Sequence, residues 1–404
     1  MIGEPKLKIA VISDLHCQKA DNSSKVTRLH TKLLDKPTNQ NPVESFKKLI
    51  EEYNKKVDYF FVLGDITDKA DLEGFILGTK LVKEIHLTLN ADKLFFAVGN
   101  HDMYRKKESE KERQSSEFMM KQTNGFPFLF KDNKSVPALE KEFWSEKNCI
   151  IEDDKSIIFI LNTSCYMDSQ NINSLDIDDT LFEEIKIKIS KYKNNNKIKL
   201  AICHHHPIPQ SDFDGKYTSL DCINHGDKLI NLLNEANFTL YMHGHKHFAK
   251  FQDIDNFPIF CSGSFSSLEN TANFHEHNTA HFINIYKNDD DNKYKGIIET
   301  WIYNTDNGWI QSLDKNTRFP ANTGFGTNTD IKLLSSNIYD HFYKVNDQNK
   351  LDKRYIPIKF EDVIKIFPDL YFLNPKQQKE LEENLIKFDV NTDIINKKFQ
   401  KNYI

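Results

Sequence analysis

The chain reads as an α/β protein, and three observations carry that reading. Near-continuous apolar runs of strand length recur along its first part. Helix-period segments separate those runs. Motifs rich in aspartate, histidine and asparagine stand where the runs end. Runs without polar alternation suit strands buried on both faces of a sheet. Strand alternating with helix predicts parallel strands. In such sheets functional groups gather at the carboxyl ends of strands.

Taken in order, Lys6 to Ser13 (KLKIAVIS) runs into Asp14-Leu15-His16. Val57 to Leu63 (VDYFFVL) runs into Gly64-Asp65, and Lys93 to Val98 (KLFFAV) into Gly99-Asn100-His101-Asp102. Lys197 to Cys203 (KIKLAIC) runs into His204-His205-His206-Pro207. Phe238 to Met242 (FTLYM) ends one residue short of His243, before Gly244-His245-Lys246-His247. Helical spacing of apolar residues predicts helices over Pro42 to Tyr53, Asp179 to Tyr192 and Gly226 to Ala236. After Gly244 the pattern changes to short strands, Phe248 to Phe251, Pro258 to Cys261, Ala280 to Tyr286 and Gly296 to Tyr303. They read as an antiparallel continuation, or as a second sheet packed on the first.

Two insertions leave from the motif edge. Cys17 to Asn41 is a long polar loop. Tyr104 to Asn148 carries a charge run, Arg105 to Arg113, read as a solvated helix with a lid over the site as its alternative. Past about Asn304 the α/β pattern stops. Gly324-Phe325-Gly326 lacks the strand–helix context of a phosphate loop. Ile338 to Tyr343 and Phe360 to Phe367 look like short helices. Asn374-Pro375 is a helix start, amide as cap and proline in the first turn, with Leu381, Leu385 and Phe388 then on one face. The expected division is residues 1–303 as the domain that carries the motifs and 304–404 as a mostly helical C-terminal appendage, a candidate surface for self-association or a protein partner.

Of 404 residues, 39% are hydrophobic, enough for a sizeable core, and the net charge of −5 gives no global pull toward nucleic acid or anionic membrane. The six cysteines form no C-x-x-C pair, so neither a zinc ribbon nor a thioredoxin-type site is suggested. The first strand starts too early for a signal peptide, and no apolar run approaches the roughly 20 residues that span a bilayer. A reduced cytoplasmic protein with no membrane association is expected.

Taken singly, a D-x-H or a G-D is common and structural. Five motifs in one order, at strand ends, are not. Hard carboxylate and amide oxygens together with imidazole nitrogens are what a pair of divalent cations needs. With those motifs in place, the chain resembles the calcineurin-like metallophosphoesterases, whose pattern is D-x-H, G-D, G-N-H-D/E, H and G-H-x-H. The match covers roughly residues 6 to 303 with every motif intact.

The resemblance implies a four-layer sandwich of two mixed β-sheets flanked by helices. It also implies two metals about 3.5 Å apart, bridged by an aspartate and a water. Asp14, His16, Asp65 and His247 resemble the ligands of one metal. Asp65, Asn100, one histidine of the 204–206 run and His245 resemble those of the other, with Asp65 as the bridge. The implied reaction is in-line attack on phosphorus by the bridging hydroxide. His101 resembles the residue that protonates the leaving alkoxide or contacts the phosphate. Asp102 would orient His101 through its other ring nitrogen, or be a structural cap. Manganese heads a list of candidate ions that includes Fe, Zn, Ni and Co.

Only one of His204, His205 and His206 is needed as a ligand. Related phosphodiesterases carry H-H-P here, and alignment on Pro207 selects His205. Successive strand residues face opposite ways, which keeps His204 and His205 from both reaching the metal. His205 is therefore favoured over His204. His243 falls outside the G-H-x-H frame and reads as a packed strand residue. His225 reads as a helix start, His30 and His86 as surface or packing residues, and His275 and His277 as candidate substrate contacts.

The G-D-I-T-D stretch at Gly64 to Asp68 and the H-H-H-P-I-P stretch look similar to the class III cyclic-nucleotide phosphodiesterase branch. The leading expectation is a phosphodiesterase for a small phosphodiester or nucleotide. A nuclease on DNA or RNA is the enzymatic alternative, though the dense lysine stretch Lys186 to Lys199 lies at the strand edge opposite the metals. The alternative of another class is an effector that uses the metal fold and its tail for binding.

Overall fold

The computed structural model describes residues 3–19, 27–32, 36–103, 110–131, 136–166, 177–211, 217–218, 222–268, 278–288, 293–311, 319–344, 356–393 and 398–401. Its strands are β1 (Leu7–Ile12), β2 (Tyr59–Val62), β3 (Lys93–Phe96), β4 (Phe128–Phe130), β5 (Asn148–Glu152), β6 (Ser156–Leu161), β7 (Ile198–Ile202), β8 (Gln210–Ser211) and β9 (Tyr217–Thr218). They continue as β10 (Leu240–His243), β11 (Ala249–Ile254), β12 (Phe257–Ser262), β13 (Asn278–Lys287), β14 (Tyr294–Asn304), β15 (Gly308–Gln311) and β16 (Asn322–Phe325). Helices α1 (Pro42–Glu52), α2 (Leu72–Leu89), α3 (Glu110–Gln122), α4 (Pro137–Glu146), α5 (Asp179–Ser190) and α6 (Gly226–Glu235) lie among them.

The strands form two mixed sheets. The first runs β15-β14-β13-β1-β2-β3-β4, with β16 added to β14, and the second runs β11-β12-β10-β7-β6-β5. Within the first, β1, β2 and β3 are parallel. Within the second, β6, β7, β10 and β12 are parallel.

Period-two burial builds the layers. Leu200 and Ile202 of β7 belong to the large core shared with the first sheet, as do Leu240 and Met242 of β10. Their neighbours Ala201, Cys203 and Tyr241 face the other way, into a separate cluster with Leu181 and Ile185 of α5 and Leu229 and Leu233 of α6. Phe46 of α1 and Phe75, Val82 and Ile85 of α2 join the first sheet's core. The result is helices, sheet, sheet, helices, the four-layer sandwich that the resemblance implied.

The helices begin where their caps dictate. Asn41 accepts from Val43 N and Glu44 N at the start of α1, with Pro42 in its first turn. Asp71 accepts from Glu73 N to open α2, and Asp178 from Leu181 N to open α5. Sequence periodicity missed α2, because glycines and threonines interrupt its apolar face. β5 and β6 were missed with it.

The region after Gly244 is not one continuation. β11 and β12 extend the second sheet, whereas β13 returns to the first and pairs antiparallel with β1. The first sheet also runs past residue 303, since β15 and β16 both pair with β14. Beyond them lies a small module with its own core of Ile331, Leu334, Ile338, Leu381 and Leu385. It holds helices Ile331–Tyr339, Phe360–Ile366 and Pro375–Ile386, but also a three-stranded sheet of Ile356–Lys359, Val390–Asp393 and Lys398–Lys401. The expected start at Asn374-Pro375 is a full capping box, with Gln377 N donating to Asn374 Oδ1 at 2.9 Å and Asn374 N to Gln377 Oε1 at 3.0 Å.

Of the charge run read as a solvated helix or a lid, residues 105–109 lie outside the described residues, as do His275 and His277. Among the described residues no helix is long and apolar enough to cross a membrane.

Candidate metal centre

The five motifs meet at one edge, where the carboxyl ends of β1, β2, β3, β7 and β10 converge from both sheets. The backbone there is unusual. Asp14, His16, Asp65, His245 and His247 all adopt positive φ, between 49° and 74°. For residues with a Cβ this conformation costs on the order of 1 kcal/mol or more each. It turns each side chain back toward its neighbours.

A dense hydrogen-bond frame holds that geometry. Asp14 N donates to Gly64 O at 3.0 Å, and His16 N to Asp65 O at 2.9 Å. Ser264 Oγ donates to Asp14 O at 2.7 Å, and Ser266 Oγ to Leu15 O at 2.6 Å. The motif glycines have no room for a side chain. A Cβ on Gly99 would lie 2.0 Å from Asp65 N, and one on Gly244 would lie 2.0 Å from Ser13 Oγ and 2.6 Å from Asp14 Oδ2.

Two groups of ligand atoms result. In the first, His247 Nε2 stands 2.9 Å from His16 Nε2 and 3.4 Å from Asp14 Oδ1, and Asp65 Oδ2 is 3.7 Å from His16 Nε2. In the second, Asn100 Oδ1 lies 2.9 Å from both His204 Nε2 and His245 Nδ1, and Asp65 Oδ2 is 3.3 Å from His204 Nε2. A tetrahedral shell with bonds of about 2.1 Å has edges of about 3.4 Å. Both groups fit a divalent ion, and one oxygen of Asp65 belongs to both. The first group appears among the clusters able to hold a metal, as do His204, His205 and His245.

The electrostatics agree with cation binding. Burial opposes ionisation of Asp14 and Asp65, but the neighbouring histidines, His247 for Asp14 and His204 for Asp65, hold both carboxyls below their ordinary value. Burial, reinforced by neighbouring imidazoles, pushes His205 and His245 down, so they are neutral, as ligands must be. His204 goes the other way. Burial opposes its charge, yet Asp65 outweighs burial and lifts it to about 9. The carboxylate pair thus demands positive charge at this spot.

The 204–206 run departs from the expectation that His204 and His205 face opposite ways. β7 stops at Ile202, so strand alternation no longer governs the next residues, and both rings turn into the site with centroids 4.9 Å apart. His204 is the ring that touches Asn100 and Asp65, while its Nδ1 donates to Leu63 O at 2.7 Å. His205 Nδ1 is paired with Thr163 Oγ1 at 2.7 Å.

A second correction concerns Asp102. Its carboxylate accepts from Thr67 N at 3.0 Å and Gly99 N at 2.8 Å, so it braces two motif loops rather than orienting His101. His101 Nδ1 instead pairs with Asp68 Oδ1 at 2.7 Å. Sequence reasoning gave Asp68 no role, although it closes the quoted G-D-I-T-D stretch. His243 is packed behind the site with Nδ1 2.9 Å from Gly244 O, and His225 stands at the N-cap position of α6 without a side-chain capping bond.

A sequence profile of the calcineurin-like phosphoesterases matches residues 7–249. The chain belongs to the calcineurin-like phosphoesterase family. The family makes it a metal-dependent phosphoesterase, a phosphoric ester hydrolase, and the ligand clusters suggest a dinuclear site. It is 24% identical over 262 residues to an uncharacterized protein of Acanthamoeba polyphaga mimivirus, covering 59% of this chain and 83% of that protein. Among solved structures it is similar to a dimetal phosphatase from Danio rerio, with 10% identity over 74% of this chain and 100% of that one, at a TM-score of 0.45. It is also similar to a purple acid phosphatase from yellow lupin, with 12% identity over 76% of this chain and 53% of that one, at a TM-score of 0.47.

Proposed function

We propose that this chain is a phosphodiesterase for small phosphodiesters or nucleotides. Asp14, His16, Asp65 and His247 would hold one divalent ion, and Asp65, Asn100, His204 and His245 the other, so that His204 replaces His205 in the expected set. Manganese is the proposed ion, since the donors are hard oxygens and imidazoles. Ions bound there supply Lewis-acid polarisation of the phosphoryl group and a more acidic water.

The observation that carries the reading is the His101–Asp68 pair. The His101 side chain keeps 26% of its surface exposed, whereas His16, Asp14 and Asp65 keep 1% or less. It is the imidazole at the mouth of the cage. Burial opposes ionisation of Asp68, but the hydrogen bond from His101 and the nearby His16 imidazole hold its carboxyl well below the usual range. An ionised Asp68 fixes the proton of His101 on Nδ1 and leaves Nε2–H to protonate the ester oxygen as the P–O bond breaks.

The lysine-rich stretch does not favour a nuclease. Lys188 is paired with Glu142 and Glu146, both at 2.7 Å, and Lys197 with Glu152 at 2.8 Å. Lys199 is fully buried. The intact ligand cage likewise speaks for an enzyme rather than an effector.

The test is turnover of bis-p-nitrophenyl phosphate, p-nitrophenyl phosphate, cyclic nucleotides, and single-stranded and duplex DNA with added manganese. The diester and nucleotides should be cleaved, and Asp65→Asn should abolish it. Preference for DNA would turn the assignment to the nuclease. Inactivity with every divalent ion tried would end the enzymatic reading.

A further inference from the structure

We propose that a cleft on the edge opposite the metal centre is a second ligand site, one that takes a phosphorylated small molecule of nucleotide size. The cleft has a volume of about 650 Å³, which is within the range of small-molecule sites, roughly 300–1,000 Å³. Its walls come from several parts of the molecule, the β11–β12 hairpin with Asp253, Asp255 and Asn256 among them. The α5–β7 turn and the α6–β10 turn form one side, Tyr294 of β14 another, and Thr327 and Gln377 of the C-terminal module a third.

These parts are tied together around it. Tyr294 OH donates to Asn196 O at 2.7 Å, which joins the first sheet to the second. Gln377 Nε2 donates to Thr327 O at 3.2 Å, and Asn374 Nδ2 to Asp253 Oδ2 at 3.0 Å, which joins the module to the β11–β12 hairpin. The lining is amide and hydroxyl rather than apolar, including Asn196, Asn237 and Thr239. Such groups recognise the hydroxyls and ring nitrogens of a nucleoside or sugar.

The charge comes from below and from the rim. Lys199 is fully buried just behind the wall, where its Nζ donates to Ala236 O at 2.6 Å and Lys193 O at 3.2 Å. Ala236 closes α6, so the ammonium sits at a helix carboxyl end. No carboxylate among the described residues pairs with it, and burial alone lowers it to about 8. A buried cation without a counter-ion is costly. Lys193 and Lys293 line the rim, with Lys197 already paired with Glu152 and with Asp253 and Asp255 opposite. Lys199 does not itself line the cleft, so its charge acts on an anion there from a distance, and Lys193 and Lys293 are the cations that face it.

This site is separate from catalysis. The cleft lies at the amino end of β7 and His204 just past its carboxyl end, about 15–20 Å away at roughly 3.3 Å per residue. The probe is the methylene phosphonate analogue of AMP, in which a P–C bond replaces the hydrolysable ester. Isothermal titration of the metal-loaded full chain should show two binding events, one at the metals and one in the cleft. Lys193 and Lys293 are both exposed, so K193E combined with K293E should leave the fold and the turnover of bis-p-nitrophenyl phosphate unchanged. That double variant should weaken one event at least tenfold. Lys199→Met should weaken the same event, and adenosine, without the phosphate, should bind there at least tenfold more weakly. A single event in the unmodified chain, or two events that both survive charge reversal at the same Kd, overturns the proposal.

Discussion

One oxygen of Asp68 serves two histidines: Oδ1 lies 2.7 Å from Nδ1 of His101 and 3.7 Å from Nδ1 of His16. The same carboxylate therefore aligns the proposed acid and steadies a proposed ligand of the first ion. Asp68→Asn should lower kcat about 10–100-fold on alkyl phosphodiesters, as loss of such a supporting carboxylate commonly does. His101→Asn should cost about 10²–10⁴-fold. Both losses should shrink on p-nitrophenyl esters, whose leaving group departs without a proton. Equal losses on alkyl and p-nitrophenyl esters would remove His101 as the acid.

His204 and His205 separate on metal content. His204 contacts Asn100 and Asp65, whereas His205 is paired with Thr163. His204→Ala should carry close to one ion per chain by elemental analysis, and His205→Ala close to two. The reverse pattern would restore His205 to the ligand set.

Asp102 is a brace. Removing its carboxylate leaves the buried N–H groups of Thr67 and Gly99 unsatisfied. Asp102→Ala should therefore lose roughly 2–4 kcal/mol in urea unfolding. Asp102→Asn should keep the pH profile of turnover, while Asp68→Asn shifts it. A shifted profile in Asp102→Asn would mean that this carboxylate does act through His101.

The two sheets are also clasped at their amino edge. Asp153, ahead of β6, meets Lys93 of β3 and Tyr59 of β2, and Tyr59 OH is 3.0 Å from Ser156 Oγ. Burial opposes its charge, but bonds from Lys93, Tyr59 and Ser156 N bring Asp153 down to about 2 from an ordinary 3.8. A depressed carboxyl stabilises the fold above its unfolded value and loses that contribution as pH falls toward the folded one. Thermal stability should thus fall between about pH 4 and pH 2, and Asp153→Asn should flatten that part of the curve. An unchanged slope in the variant would assign the acid sensitivity elsewhere.

Much of the catalytic edge was legible because its signals are local. Asp14, Asp65, Asn100, His245 and His247 each follow an apolar run and belong to a motif with its own spacing. The cap at Asn374 is equally short-range, so that helix start could be placed. What failed were the readings that depended on how separate segments meet. His204 and His205 were expected to face opposite ways because strand alternation was carried past Ile202, where the strand has ended. Asp102 had two alternatives, an orienter of His101 or a structural cap, and the partner of the His101 ring is Asp68, 33 residues before it.

The sequence by itself determined which groups lie at strand ends, because apolar periodicity and the residues that interrupt it are properties of contiguous chain. Only the tertiary structure decided which strands share a sheet, which imidazole reaches Asp65, and where Lys199 is buried. Those outcomes turn on close approach between segments far apart in the chain. Turn geometry and the positive φ angles at the motifs control that approach, and no local pattern encodes it.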